Sequence, residues 1–332
     1  MTKTALITGI TGQDGYYLSH LLLNQNYRVV GLMPPHRQRN LSKLGDLADK
    51  VEIYTVDLRD SAGLFTAVEQ LQPQEIYNLA APSFVPDSWH DSLGTLDIIT
   101  GNATRLLDAI RQVGLSTRFY QASSSEMFGD VTVSPQDEET PFRPKNPYAA
   151  AKLHAHWTMV YHRQRYGLFA CSGILYNHES PLRPPQFVTR KVSLAVASIK
   201  LGLAQSLEMG HLDAKRDWGF AGDHVNAMWR MLQLDQPEEY VIGTGKLHSV
   251  KELTSTAFAA VGLDWQKYVI VNTNLLRADE HFQLVANPDK AKKNLGWEPQ
   301  VSFEQLLENM VKTDLHQLQS GKIQPFIAVE QK

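Results

Sequence analysis

Residues 4–15 constrain the fold of the whole N-terminal half. An apolar run, Ala5-Leu6-Ile7, leads through Thr8 into Gly9-Ile10-Thr11-Gly12-Gln13-Asp14-Gly15, and helical period begins at Tyr16. A strand that passes straight into a helix through regularly spaced glycines reads as the opening of a βα unit, because glycine permits the tight turn and close backbone approach. The helix N-terminus so formed presents unpaired N–H groups that suit a diphosphate. The spacing points to a dinucleotide cradle of Gly9, Thr11, Gly12, Gln13, Asp14 and Gly15, with a plain turn as the alternative.

The pattern then repeats. Apolar runs at Arg28–Leu32, Val51–Val56, Glu75–Leu79 and Arg118–Ala122 read as further strands, and helical period covers Tyr16–Asn24, Ser61–Leu71, Gly101–Val113 and Tyr148–Tyr166. Strands alternating with helices imply a parallel sheet. Beyond about residue 175 this order gives way to a Pro-rich stretch, Pro181–Pro185, and then to mixed helices and loops. The expected fold is α/β: a Rossmann-like doubly wound parallel sheet with a smaller C-terminal α/β substrate-binding lobe. The dinucleotide domain is expected over 1–175, completed by parts of 217–245, with the lobe over 176–216 and 246–332.

Composition narrows the function. With 32 Lys+Arg against 35 Asp+Glu, a net charge of −3 gives no electrostatic footprint for nucleic acid. Cys171 is the single cysteine, so no intramolecular disulfide, CxxC pair or multi-cysteine zinc site can form. No stretch reaches the roughly 18–20 apolar residues of a membrane span, and the N-terminus reaches Gly9 too soon for a secretory signal. A cytoplasmic protein with no membrane partner is expected. Of the twelve histidines, His154 and His156 stand two apart on a helix and no His-Glu-x-x-His occurs, so no metal is expected. Trp218, Trp229 and Trp297 read as core, and His178-Glu179 as residues that shape a loop.

Strand two ends in Met33-Pro34-Pro35-His36-Arg37-Gln38-Arg39, where a carboxylate would hold the ribose of NAD. Arg37 and Arg39 could instead pair a 2′-phosphate, which favours NADP; two solvated surface arginines are the alternative. Asp57, after the third strand, is a candidate for the adenine edge or a simple turn residue. Tyr148-Ala149-Ala150-Ala151-Lys152 sets a phenol and an ammonium on one helix face. A nearby cation and an oxidised nicotinamide would lower the Tyr148 pKa until it acts as a base. Ser123-Ser124-Ser125-Glu126 is read as following strand five immediately, at the sheet's carboxyl end where doubly wound folds bind ligands.

Together these residues resemble the extended short-chain dehydrogenase/reductase superfamily. Within it, Ser123 to Gly129, Pro147 to Lys152, Asn177-His178-Glu179-Ser180-Pro181, Phe187 to Lys191, Lys215 to Gly219 and Ala291 to Trp297 are similar to the GDP-mannose 4,6-dehydratase family. The resemblance implies a lyase with Ser124, Glu126, Tyr148 and Lys152 as catalytic residues and NADP as cofactor. The cofactor set is expected to include Arg37, Asp57, Leu58, Leu79, Ala80 and Ala81 as well as the cradle, Tyr148 and Lys152. Ser83, Asn177, Lys191, Arg216 and Arg277 are expected to bind a GDP-sugar, with Lys191 and Arg216 on its diphosphate. A homodimer or a tetramer is implied.

The chain departs from the family pattern in several places. Ser124 stands for the usual threonine, Pro82 and Phe84 for Gln and His, and Leu182-Arg183-Pro184-Pro185 for Arg-Arg-Gly; an Arg-Arg-Ser-Ser-like loop is missing. The alternatives are another nucleotide-sugar epimerase, reductase or dehydratase, or a non-catalytic NADP-sensing protein. Glu126 discriminates among the enzymes, since elimination needs a base that oxidation or epimerisation does not.

Overall fold

Every residue of the first apolar run is buried, and it forms an interior strand of a seven-stranded parallel sheet. The computed structural model describes residues 2–275 and 283–326, without the side chains of 37–40 and 275. In chain order the first half is β1 (Thr4–Thr8), α1 (Gln13–Asn24), β2 (Arg28–Met33), β3 (Glu52–Thr55), α2 (Ser61–Leu71), β4 (Glu75–Asn78), the short α3 (Asp87–His90) and α4 (Ser92–Leu96), α5 (Asn102–Val113), β5 (Arg118–Ser124), α6 (Pro147–Tyr166) and β6 (Ala170–Leu175). The sequence predicts most of this order.

Local chemistry sets the helix ends. Asp60 caps α2 by accepting from the Gly63 amide at 3.0 Å. Asn146 caps α6, Pro147 opens it, and Gly167 closes it at φ 67°, a left-handed conformation that costs glycine little. Alternate residues of β1 then face opposite layers. Leu6 packs with Leu64, Leu106, Ile110 and Met159 of α2, α5 and α6, whereas Ala5 and Ile7 pack with Leu18 and Leu22 of α1. Each such fully buried leucine is worth roughly 1.5–3 kcal/mol relative to exposure.

The second half runs β7 (Asn177–Glu179), α7 (Val188–Lys200), β8 (Leu207–Met209), β9 (Lys215–Arg216), β10 (Trp218–Phe220), α8 (Ala221–Met231), β11 (Tyr240–Ile242), β12 (His248–Ser249), α9 (Val250–Ala259), β13 (Val269–Val271), α10 (Asp289–Leu295) and α11 (Phe303–Gln319). The sheet order is β3-β2-β1-β4-β5-β6-β11, so the chain returns from the second half to supply the last strand. Helix α8 covers the α1 face through Val225 and Met228. Three two-stranded pairings, β7 with β10, β9 with β12 and β8 with β13, build the rest with α7, α9 and α11 around Val196, Trp218, Phe258 and Leu307.

Some boundaries differ from the sequence reading. Helix α1 begins at Gln13 rather than Tyr16 because Gly12 occupies its N-cap. Strand β5 extends through Ser124, which pairs with Leu175 of β6, so Ser123 and Ser124 end the strand instead of following it. Trp218 and Trp297 are core, but Trp229 is only partly buried, its Nε1 donating to the Tyr27 hydroxyl at 3.4 Å. Among the described residues no helix is long and apolar enough to cross a membrane, and no group of three or more metal-ligating side chains is found.

Candidate active site

The sheet order reverses between β1 and β4, and the glycine turn lies at the carboxyl end of β1. Such a switch point leaves a crevice outside the strand ends. Gly9 has φ 74°, and a Cβ there would lie 3.0 Å from the Ala80 amide nitrogen. At Gly15 a Cβ would lie 2.5 Å from the Gly9 oxygen and the Ile10 Cα, so only glycine lets α1 start this close to the turn. Gly12 caps α1 without any side-chain hydrogen bond, which leaves the first-turn amides available to an anion. Thr11 is half-buried beside it.

The Thr8 hydroxyl fixes the opposite wall. It accepts from the Leu79 and Ala80 amides at 3.0 Å each and donates to Asn78 Oδ1 at 2.7 Å. Asn78 receives Asn102 Nδ2 at 2.7 Å and donates to Gln121 Oε1 at 2.8 Å; Gln121 Nε2 in turn donates to the Ala122 carbonyl at 3.0 Å. Lys152 Nζ donates to the same carbonyl at 2.6 Å. A buried polar chain therefore joins the base of the glycine turn to the α6 lysine. Ala81 and the exposed Ser83 follow β4 on the loop that borders this crevice.

Farther along the strand ends is a cavity of about 560 Å³ lined by His36, Tyr54, Asp57, Asp60 and Thr66 among others. Asp57 lines this cavity, and Leu58, next in sequence, is buried. The Arg37 side chain and the whole of Arg277 lie outside the described residues.

Ser124, Glu126, Tyr148 and Lys152 come together where β5 ends and α6 begins. Ser124 caps the turn Ser125–Met127, accepting from the Glu126 amide at 3.2 Å, and is hydrogen-bonded to the Tyr148 hydroxyl. Asn146 Nδ2 donates to Glu126 Oε2 at 3.1 Å. Burial pushes the Tyr148 phenol up to about 12, helped by the Glu126 charge and opposed by Ser124 and by the Arg183 charge. Lys152, pushed down to about 8 by burial, donates one N–H to the Ala122 carbonyl and lies 5.6 Å from the Tyr148 ring centroid. Burial is thus the dominant influence on the phenol, and the ammonium is directed at the backbone.

Gln13 and Asp14 do more than line the cradle. Asp14 Oδ2 accepts from His178 Nε2 at 2.9 Å, while His178 Nδ1 donates to the Tyr176 carbonyl at 2.8 Å. Both ring nitrogens face acceptors, which requires the imidazolium. Burial would push His178 down, yet the Asp14 charge and hydrogen bond hold it above its ordinary range; the same pairing holds Asp14 well below the usual carboxylate range against its own burial. His224 stacks on His178 at 4.5 Å and is pushed down to about 3 by burial and by that neighbouring charge. Gln13 donates to the His178 carbonyl at 3.0 Å and accepts from Ser180 at 2.8 Å. The glycine turn is therefore bolted to β7.

Asn177 begins β7 and sits opposite Trp218 in register, two residues beyond Arg216. Arg216 Nη1 donates to the Lys215 carbonyl at 2.7 Å. Lys191, in the first turn of α7, donates to the Glu208 carbonyl of β8 at 2.7 Å and is pushed down by burial. Sequence reasoning missed Asn78, Gln121, Asn146 and Arg183. Arg183 lies 3.6 Å over the Phe187 ring, which meets Phe84 edge-on at 5.5 Å, and pairs with buried Glu179 at 3.1 Å.

The GDP-mannose 4,6-dehydratase family profile matches residues 6–310. GDP-mannose 4,6 dehydratase 2 of Arabidopsis thaliana is 45% identical over 333 residues, covering 97% of this chain and 89% of that one. The fold is similar to that of RMD from Pseudomonas aeruginosa complexed with NADPH, at TM-score 0.80 and 23% identity over 95% of this chain and 100% of that one. It is similar also to UDP-glucose 4-epimerase of Thermus thermophilus in complex with NAD, at TM-score 0.81 and 25% identity over 94% and 98%. The chain belongs to the GDP-mannose 4,6-dehydratase family.

Proposed function

We propose that this chain removes water from GDP-mannose to give GDP-4-keto-6-deoxymannose, a hydro-lyase reaction with no net oxidation. The observation that carries the reading is Glu126: a carboxylate held beside the Tyr148 phenol, in electrostatic contact with it, where oxidation alone would need none. The glycine turn, the first amides of α1 and the cavity at Asp57 fit a dinucleotide, and Tyr148 and Lys152 would stand at its nicotinamide end. NADP is the proposed form, supported by Arg37 and Arg39 where an NAD-selecting carboxylate would stand. A dinucleotide held there would supply a hydride acceptor for C4 and a donor for C6, and a positive ring beside the Tyr148 phenolate.

The chain's own groups move the protons. Tyr148 takes the O4 proton, with Ser124 bonded to the same phenol oxygen. The C4 ketone acidifies C5–H. Glu126 removes that proton as the C5–C6 double bond forms, and passes it to the departing 6-hydroxyl, so the C6–O bond breaks with release of water. A proton is then delivered to C5, balancing the one that Tyr148 took from O4, so that the phenol is again free to act as a base. On this reading Asn177, Lys191, Arg216 and the region of Ser83 and Arg277 hold the GDP-sugar, and the division into dinucleotide domain and substrate lobe follows the expected boundaries.

A cytoplasmic homodimer is the proposed assembly. Its support is one exposed stripe of α6, Ala150, His154, Trp157 and Tyr161, with the Trp157 and Tyr161 rings stacked, together with Leu93 at 80% exposure on α4, which packs against α6. The activity is tested by incubating purified protein with GDP-mannose and no added reductant. The product should lose the mass of one water over many turnovers; stoichiometric accumulation of reduced cofactor would refute dehydration.

A further inference from the structure

One carboxamide touches both halves of the chemistry. Asn146 Oδ1 accepts from the Ala149 amide at 2.8 Å, capping the helix that carries Tyr148 and Lys152, while its Nδ2 donates to Glu126 Oε2 at 3.1 Å. Serine, aspartate and asparagine cap helices about equally well, so capping alone does not select among them. A carboxamide offers an acceptor to the helix and a donor to a carboxylate from two separate atoms at the end of its side chain, whereas a hydroxyl must serve both from one oxygen. Aspartate here would set a second negative charge against Glu126, and serine keeps a free O–H while capping but carries it one bond closer to the backbone, short of the position that Nδ2 holds.

We propose that Asn146 is a positioning residue for the elimination step, fixing the Glu126 carboxylate relative to the Tyr148 phenol. The proposal rests on the reading of Glu126 as the C5 base. The amide holds Oε2, which leaves Oε1 to meet the C5 proton, and Asn146 itself gains and loses no proton. Because the other end of the same amide is locked into the first turn of α6, the carboxylate and the phenol are held in one frame. Misplacing a catalytic group by a fraction of a bond length is costly to the rate, and a hydrogen bond to a charged group is the means of preventing it.

The test uses Asn146→Ser and Asn146→Asp, which keep a capping side chain, with Glu126→Gln alongside. Single turnovers with GDP-mannose and oxidised cofactor are followed by cofactor absorbance and by release of the dehydrated product. In both Asn146 variants C4 oxidation should proceed at nearly the parental rate while elimination slows about tenfold or more, so that reduced cofactor builds up transiently. KM and melting temperature should stay near those of the parent, and the aspartate variant should be the slower one. Elimination within twofold of the parent in both variants overturns the proposal, as does an equal slowing of both steps with a fall in melting temperature, which is the signature of a cap alone. If Glu126→Gln eliminates normally, the base assignment itself fails; if it is blocked while the Asn146 variants are normal, only the positioning role fails.

Discussion

Replacing Lys152 by methionine should make the protein more stable while removing its activity. The ammonium is 4% exposed, and burial brings its pKa from 10.5 to about 8. At ~1.4 kcal/mol per pH unit, that fall means the charged form costs about 3 kcal/mol at neutral pH relative to the neutral amine. Methionine has nearly the same length and carries no charge. The bond from Nζ to the Ala122 carbonyl is lost, at about 1 kcal/mol, but that oxygen keeps the Gln121 amide at 3.0 Å and is not orphaned. The net expectation is a gain of about 2 kcal/mol at pH 7. The sign of its pH dependence follows from proton uptake: between pH 8 and 10.5 the unfolded chain holds a proton on Lys152 that the native chain has lost. Parental stability therefore rises with pH across that window, and the advantage of the variant shrinks. Urea unfolding of cofactor-free protein at pH 7 and pH 9.5 reads both quantities. A variant less stable than the parent at pH 7, or a difference that does not change with pH, would refute the argument that the site holds this charge at a cost.

Two further outcomes are expected. His178→Asn should lower stability most between about pH 4 and 6.5, where Asp14 is ionised and His178 is charged in both native and unfolded chains; the contribution of His178 is lost as pH rises through its raised native pKa, and that of Asp14 as pH falls through its lowered one. Thermal melts across pH check this, and a difference that grows above pH 8 would contradict it. NADP⁺ should bind more tightly than NAD⁺, and Arg37→Ala should close the gap by about 1.5–3 kcal/mol; calorimetry showing equal affinities in the parent would reject the assignment.

The first half was legible because its strands are apolar runs separated by helical period, and each element can be read from its own window. Two sheet strands were not. Ala170–Leu175 is built of small residues whose burial on both faces leaves no alternation, with Gly173 admitting the Tyr120 ring, and Tyr240–Ile242 is too short to show a period. The four catalytic candidates were readable as motifs, and the structure brings them together. The polar chain through Thr8, Asn78 and Gln121 was not, since a polar residue ending one strand and another inside its neighbour show no partnership until the strands are laid side by side. The link from Asp14 to His178 spans 164 positions, and no local pattern encodes it. Lys191 shows the opposite limit: its segment is similar to the family's, yet its ammonium is engaged with the Glu208 carbonyl.

The late arrival of β11 matters for how the protein is made. Strand β6 is buried at all six positions, but one of its flanks is covered only by Tyr240–Ile242, and residues 176–239 are synthesised in between. A nascent chain that has completed β6 therefore presents an open row of backbone donors and acceptors to any extended segment nearby, until Tyr240–Ile242 has emerged. Neither a gene split nor a protease cut that discards everything after residue 216 would release a self-sufficient dinucleotide-binding half, because the fragment would keep an unprotected sheet edge and lose the α8 cover over Leu18 and Leu22.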